Sequence, residues 1–331
     1  MKEPKPPFFV TEEALNLCLD IASLLGKIEG SHSQKSVAPE LRKQNKIKTV
    51  QSSVAIEGNT LSREQVTDIL DGRQVKGPPK EILEVKNTIA LYESVLKFSP
   101  SSLRDFRKAH KILMTGLIKE AGQFRSKNVG IVKGDKVKHI APKPNYVPKL
   151  MEDLFRFIKD DPSPMLLKSA VAHYEIEFIH PFSDGNGRIG RFWQHLILVR
   201  YNPIFTQIPF ESIIKEQQKA YYKTLEICDK QGDSTQFILF SLNTIRTALQ
   251  RFEKESTSYQ QQDPKDRLEQ ARSHFLKNSF SRKDYMLVHQ TLSSATASRD
   301  LKLGVDEEIL ERSGERARTL YRFKGNTLPK L

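Results

Sequence analysis

The sequence predicts a mainly α-helical protein with one β-hairpin in its body and a short helix-and-strand segment near its C-terminal end. Three observations carry this. Apolar residues recur in steps of three and four, as in Ile82, Val85, Ile89, Tyr92 and Leu96, which places one stripe on one helix face. Helix punctuation agrees with that period: Ser62 with Gln65 forms a capping-box pattern, Asp71-Gly72 a helix end, Gly77-Pro78-Pro79 a break, and Pro148 sits where a first-turn proline belongs. Alternating β-type residues are confined to short runs, the clearest being NVGIVKGDKVKHIAP at 128–142, where two runs flank Gly134-Asp135.

With 331 residues the chain exceeds one small core and is expected to hold more than one domain. No apolar run approaches the roughly 18 residues that would cross a membrane, so no membrane partner is expected. MKEPKPPFFVTEEALNL mixes acidic and apolar residues without the pattern of a secretory signal, which gives a cytoplasmic expectation. Cys18 and Cys228 lie far apart on apolar helical faces and are expected in the core, not in a disulfide framework or zinc cluster. The net charge of +13 favours polyanionic partners. A nucleotide, a nucleic acid and an acidic protein all satisfy it.

Further along, Leu167, Val171, Tyr174 and Phe178 mark a buried helix. Pro181 ends it, because the residue before a proline is pushed out of the α region. The next residues, HPFSDGNGRIGR at 180–191, bring together a histidine, a carboxylate, a GNG turn and two arginines. Gly185 and Gly187 let the backbone curl its N–H groups toward an anion, Asn186 sits between them, and the following helix starts with its positive dipole end beside them. Arg188 and Arg191, three apart, share one helix face, while Ile189, Phe192, Trp193 and Leu196 pack the other. Asp184 has the oxygen chemistry that Mg²⁺ takes together with substrate phosphates. His173, Glu177 and His180 fall at helical spacing as a zinc site would, but Pro181 and the lack of an HExxH pattern speak against one.

These twelve residues resemble the signature of the Fic (fido) family, HxFx(D/E)GNGRxxR, without departure. The resemblance implies a Fic-type helical bundle that transfers AMP from ATP to a protein hydroxyl. It implies His180 as the general base, Asp184 as the Mg²⁺ ligand, Gly185, Asn186 and Gly187 as the phosphate turn, and Arg188 and Arg191 as partners of the outer phosphate charges. An imidazole of unperturbed pKa about 6.5 suits the first of these roles. GQFR at 122–125 and the hairpin ending at His139 and Ile140 resemble the family's flap, which aligns a target segment by strand addition. Tyr221 and Tyr222 lie where related enzymes line the base, and Asp229 stands where some relatives carry an adenine-contacting Asn, which leaves the base preference open. Relatives also transfer UMP, phosphate or phosphocholine, so other donors stay open too.

SVAIEGN at 53–59 resembles the family's (S/T)xxxE(G/N) inhibitory motif, with Ser53 and Glu57 at its defining positions. Glu57 at a helix end closed by Gly58 meets the negative end of the helix dipole and gains from a cation. The resemblance pairs it with Arg191, and in some relatives the same glutamate also supports removal of AMP. The polar stretch EKESTSYQQQD at 253–263 reads as a helix end and linker before Pro264. Beyond it come a helix, a second helix from Ser281, a turn at TLSSA, a third helix through Ser298 and Leu303, and two short strands around Ser313-Gly314. That order is a winged-helix pattern. Residues 265–331 carry 14 Lys/Arg against 9 Asp/Glu, a surplus that fits DNA or a protein partner. The expected organisation is a helical region with the inhibitory motif at 1–100, a catalytic core at 101–262 and a winged helix at 265–331. A homodimer and a DNA-binding regulator that uses the core as a nucleotide sensor remain open.

Overall fold

A computed structural model describes residues 5–32, 39–133, 136–260, 264–289, 292, 294–314 and 319–324. Among them, helices precede the hairpin: α1 (Glu12–His32), α2 (Pro39–Ile56), α3 (Arg63–Leu70), α4 (Pro79–Glu93) and α5 (Leu103–Met114). The hairpin strands are β1 (Gly130–Lys133) and β2 (Lys136–Ile140). Then follow α6 (Val147–Asp160), α7 (Met165–Ile179), α8 (Asn186–Tyr201), α9 (Phe210–Glu216), α10 (Gln218–Gln231) and α11 (Thr235–Gln260). Last come α12 (Pro264–Phe275), β3 (Phe280–Ser281), α13 (Arg282–Val288), α14 (Ser294–Asp306), β4 (Leu310–Ser313) and β5 (Leu320–Phe323).

The chain divides into two compact units, one of residues 1–26 and 45–250, the other of 27–44 and 251–331. Most of the 1–100 and 101–262 segments thus shares one unit. At its centre α7 packs on α8, with α5 and α6 against them. α7 is apolar on nearly every side and is buried on nearly every side, as a helix without a polar face requires. Ile189, Phe192, Trp193 and Leu196 of α8 are all fully buried, so the helix that begins at the GNG turn is clamped along its length. A second cluster, including Val50, Val54, Leu61, Val66 and Val85, joins α2, α3 and α4 and seats the 53–59 segment.

Local punctuation follows the sequence. Ser62 accepts from Gln65 N–H in a complete capping box, Leu70 is the last residue of α3, and Gly72 takes φ of 75°. Pro79 opens α4 and Pro148 lies in the first turn of α6. Leu96 leaves the stripe it was expected to extend: α4 ends at Glu93, a 3-10 turn follows, and Leu96 is exposed. Cys228 is buried and Cys18 half-buried; both are free thiols. The 128–142 hairpin forms with antiparallel register Gly130↔Ile140 and Ile131↔His139 and a bulge after Ile131. Its Gly134-Asp135 turn and the side chains of 130–140 lie outside the described residues. The 253–263 stretch is still helical to Gln260, and 261–263 lie outside the described residues, as do Thr291 and Ser293 of TLSSA.

The second unit has its own core of Leu268, Phe280, Tyr285, Leu301, Leu310 and Phe323, under a sheet ordered β3-β5-β4. A bidentate ion pair crosses that core, Arg267 Nε and Nη2 each donating at 2.7 Å to Asp300. Removing one partner of such a buried pair leaves a lone charge, at a cost of about 3–5 kcal/mol. Asp300→Ala is therefore expected to destabilise this unit by that amount, read as lost hydrogen-exchange protection in α12 and α14 with α7 and α8 unaffected. Unchanged protection would show that the pair contributes nothing net.

Candidate active site

His180 ends α7 in the left-handed conformation, φ 50° and ψ 59°, unusual for a residue with a Cβ. Its N–H still bonds to Ile176 O at 3.0 Å, while Pro181 forbids another helical turn. The imidazole Nδ1 lies 3.3 Å from the Glu177 carbonyl oxygen. A proton donated there leaves Nε2 as the acceptor nitrogen.

The loop after His180 is fixed from three sides. Asn186 is buried and cross-links it, accepting from Phe182 N–H and donating to Phe182 O, both at 2.9 Å. That side chain is spent on backbone, so what the turn offers an anion is backbone N–H. Arg125, also buried, donates from its backbone to Pro181 O at 2.9 Å and from Nε to His180 O at 2.7 Å. His110 stacks on Phe182 with ring centroids 3.5 Å apart, accepts from Gly122 N–H at Nδ1 and reaches Asp184 O with Nε2. With Nδ1 accepting, Nε2 carries the proton. Gly185 has φ of 83°, and a Cβ there would lie 2.7 Å from Met114 Sδ.

At the start of α8 the first N–H groups lack helical partners and the dipole is positive. A Cβ on Gly187 would run into Glu57 Oε1 and come within 3.1 Å of both Arg191 Nη1 and Glu177 Oε1. Glu57 therefore lies over the first turn of α8, where the dipole favours a negative charge. It accepts from Arg191 Nη2 at 2.7 Å, and the same nitrogen donates to Ser53 O at 3.0 Å. The Arg191 side chain is 0% exposed, Glu57 29%. Burial alone pulls the guanidinium pKa down, but Glu57, Tyr221 and Glu177 more than offset this and raise it. Arg191 Nε and Nη1 are buried without a partner among the described residues, donors that suit further acceptor oxygens.

Arg188 does not share this position. It pairs with Glu84 of α4 through Nη1 and with Asp184 Oδ1 through Nη2 at 2.7 Å. Asn59 donates to the other Glu84 oxygen at 2.8 Å, so a polar chain runs Asn59–Glu84–Arg188–Asp184. Glu57 itself lies one residue past the end of α2, and Gly58 turns the chain with φ of 94°. Gln218 and Tyr222 of α10 donate to the last helical carbonyl, Ile56 O, at 2.8 and 3.3 Å, and Lys215 donates to Gln51.

Tyr221 is fully buried, its hydroxyl 2.9 Å from Glu177 Oε1 and 3.0 Å from His173 Nε2. Its neighbour Tyr222 is the one that presents surface. Asp229 accepts from Tyr174 OH at 3.1 Å. His173 is bonded to Gln194 and Tyr221 inside the core, and no metal-binding group of three is found among the described residues. Sequence reasoning missed Glu84, Glu177 as partner of Tyr221, His110, and Arg125 as the loop's anchor. Of these only Arg125 carried a signal, through GQFR.

A helix end bearing a histidine, followed by a glycine-flanked turn that opens a buried helix with a fully buried arginine, sits at the centre of this helical fold. Residues 100–198 match the model of the Fic/DOC family. A solved structure of a Fic family protein from Desulfovibrio desulfuricans G20 is 36% identical, with TM-score 0.77, over 98% of this chain and 100% of that one. The chain belongs to the Fic family. It is similar to the protein adenylyltransferase fic-1 of Caenorhabditis briggsae, 29% identical over 243 residues, 68% of this chain and 45% of that protein. It is also similar to the protein adenylyltransferase Fic of Drosophila melanogaster, 28% identical over 248 residues, 70% of this chain and 47% of that protein. The chain thus spans about half the length of these curated relatives.

Burial pushes the His110 imidazole down to about 4, its bond to Asp184 O opposing only in part. The unfolded imidazole titrates near 6.5, so below that pH the unfolded chain binds the proton more readily, and stability present at pH 7 is lost as pH falls toward 4. Hydrogen exchange in 180–186, corrected for its intrinsic rate, is expected to accelerate between pH 7 and 5, and less so in His110→Asn. If the variant keeps the full acceleration, the pH dependence belongs to His173 or His195, which burial also holds low, at about 3 and about 4.

Proposed function

We propose that this protein is an adenylyltransferase restrained by its own Glu57, transferring AMP from ATP to a Ser, Thr or Tyr hydroxyl of a protein, itself included. The observation that carries this is the Glu57–Arg191 pair lying over the first turn of α8, the helix that begins just after His180 and Asp184 in the chain. The names of the curated relatives support the same reaction.

In the reaction the target hydroxyl oxygen bonds to the α-phosphorus while the bond from that phosphorus to the bridging oxygen breaks. Pyrophosphate leaves, and His180 takes the hydroxyl proton at its acceptor nitrogen. The fixed N–H groups of α8 and the Arg191 guanidinium stabilise phosphate charge without reorganising. Asp184 suits Mg²⁺: Oδ1 is held by Arg188 and by Gly185 N–H at 2.6 Å, the side chain is 46% exposed, and among the described residues nothing donates to Oδ2. Bound Mg²⁺ supplies charge neutralisation and orientation of the phosphates. Glu57 stalls the reaction by neutralising Arg191 and filling the anion position.

Residues 265–331, within the second unit, we read as a winged helix that binds duplex DNA. The order of its helices, the three-stranded sheet and a groove of about 1280 Å³ edged by Arg282, Lys283, Lys302 and Arg312 support that reading. A cytoplasmic setting, where the free Cys18 and Cys228 stay reduced, belongs to the same proposal and is checked by cell fractionation.

Glu57→Gly is expected to raise transfer of labelled AMP, self-modification included, and adding Arg191→Ala or His180→Ala should abolish the gain. No increase at any ATP concentration would remove the inhibitory role, and full transfer by the His180 variant would remove the general base. DNA retention should fall steeply with salt and be lost in Arg282→Glu/Lys302→Glu. Equal retention by that variant would turn the reading toward protein docking.

A further inference from the structure

α5 carries Arg104, Arg107, Lys108 and Lys111 at i, i+3, i+4 and i+7, so four cations line one face of one helix, and all four are exposed. Like charges at these spacings repel, which makes the stripe a liability to the helix itself. The only acid in α5, Asp105, is occupied: its carboxylate takes Ser99 N–H at 3.0 Å and lies 3.6 Å from Lys108. Among the described residues Arg104, Arg107 and Lys111 have no carboxylate partner.

The stripe edges a groove of about 870 Å³, whose other walls include Phe124 and Glu152. Arg107 is set within it, Nε donating to Gly122 O at 3.0 Å and the guanidinium 5.5 Å from the Phe124 ring centre. Gly122, with φ of 80°, allows this closeness, since a Cβ would come 2.8 Å from Arg107 O. The same loop is wired to the candidate active site. Gly122 bonds to His110 and through it to Asp184 O; the Phe124 ring lies 5.6 Å from Phe182; and Arg125 holds His180 O. Five residues past Arg125 the chain enters β1. A polypeptide that brings a hydroxyl to His180 has its flanking residues close to this loop.

We propose that the α5 groove receives an acidic segment of the protein that is modified, so that hydroxyls with Asp or Glu nearby in the target are selected. The proposal rests on the transferase reading for its purpose, but the binding it asserts can be measured alone. Phe124 offers apolar contact beside the cations, which suits a peptide with mixed acidic and apolar side chains.

The full chain is titrated, with anisotropy as readout, against a labelled peptide of alternating Glu and Ser, its Gln-and-Ser counterpart, and a short DNA duplex. The acidic peptide is expected to bind about tenfold more tightly than the neutral one, and Arg104→Glu/Lys108→Glu/Lys111→Glu should lose about that factor. An unchanged heat-denaturation midpoint shows that the variant folds, and Arg104→Gln/Lys111→Gln, a milder change, should lose less. Equal binding of both peptides, or undiminished binding by the triple variant, overturns the proposal. So does a triple variant that loses the duplex while keeping the acidic peptide, which would make the stripe a nucleic-acid surface. In a Glu57→Gly background the triple variant should raise KM for the acidic peptide and leave kcat in place. If no peptide is modified in that background while acidic-peptide binding still depends on the stripe, the transferase reading fails and the docking groove stands.

Discussion

The buried guanidinium of Arg191 is the constraint around which this fold is arranged. A charge wholly removed from water persists only with partners. The chain supplies Glu57 and the Ser53 carbonyl from one side, with Glu177 nearby on α7. α8 is clamped by Trp193, Phe192 and Leu196, which fixes the backbone that carries the guanidinium. The α2–α3–α4 cluster then acquires a purpose beyond packing, since it places a carboxylate opposite this fixed charge. Gly187 completes the arrangement by having no side chain where that carboxylate sits.

The first arginine of the motif takes a different assignment. Arg188 holds Asp184 in place and is itself held by Glu84, which Asn59 also grips. The 53–59 segment thus touches both arginines, one directly through Glu57 and one through Asn59 and Glu84. In the proposed reading, a displacement of that segment is felt at the outer phosphate position and at the metal ligand together. Coupling between residues in one hydrogen-bond network is not additive.

Much of this was legible in the sequence, and the limits have a physical cause. Ser62 acts on the N–H three residues on, Gly72, Pro79 and Pro181 act through their own backbone, and the short spacing of HPFSDGNGRIGR forces its residues together whatever surrounds them. Leu96 misled because a helical period continues on paper after a helix has ended. Glu84 was invisible because its partner Arg188 lies 104 residues away and nothing local marks either as half of a pair. Asn186 and Tyr221 have residue types that suit ligand contact, yet their polar atoms are consumed by Phe182 and by Glu177 with His173. Only three-dimensional packing distinguishes a polar group that is offered from one that is spent.

Gln218 and Tyr222 cap the carbonyl of Ile56, one residue before Glu57. In the proposed reading Glu57 is thereby a ligand the chain carries for its own site on a short, stiff tether. A tethered ligand acts at an effective concentration set by the tether, on the order of millimolar even for a flexible link. A dissolved competitor would have to outweigh that concentration by affinity. In that reading the two α10 side chains act as a dosage control: loosening their grip lowers the apparent concentration of the internal carboxylate without altering the carboxylate or the arginine it binds.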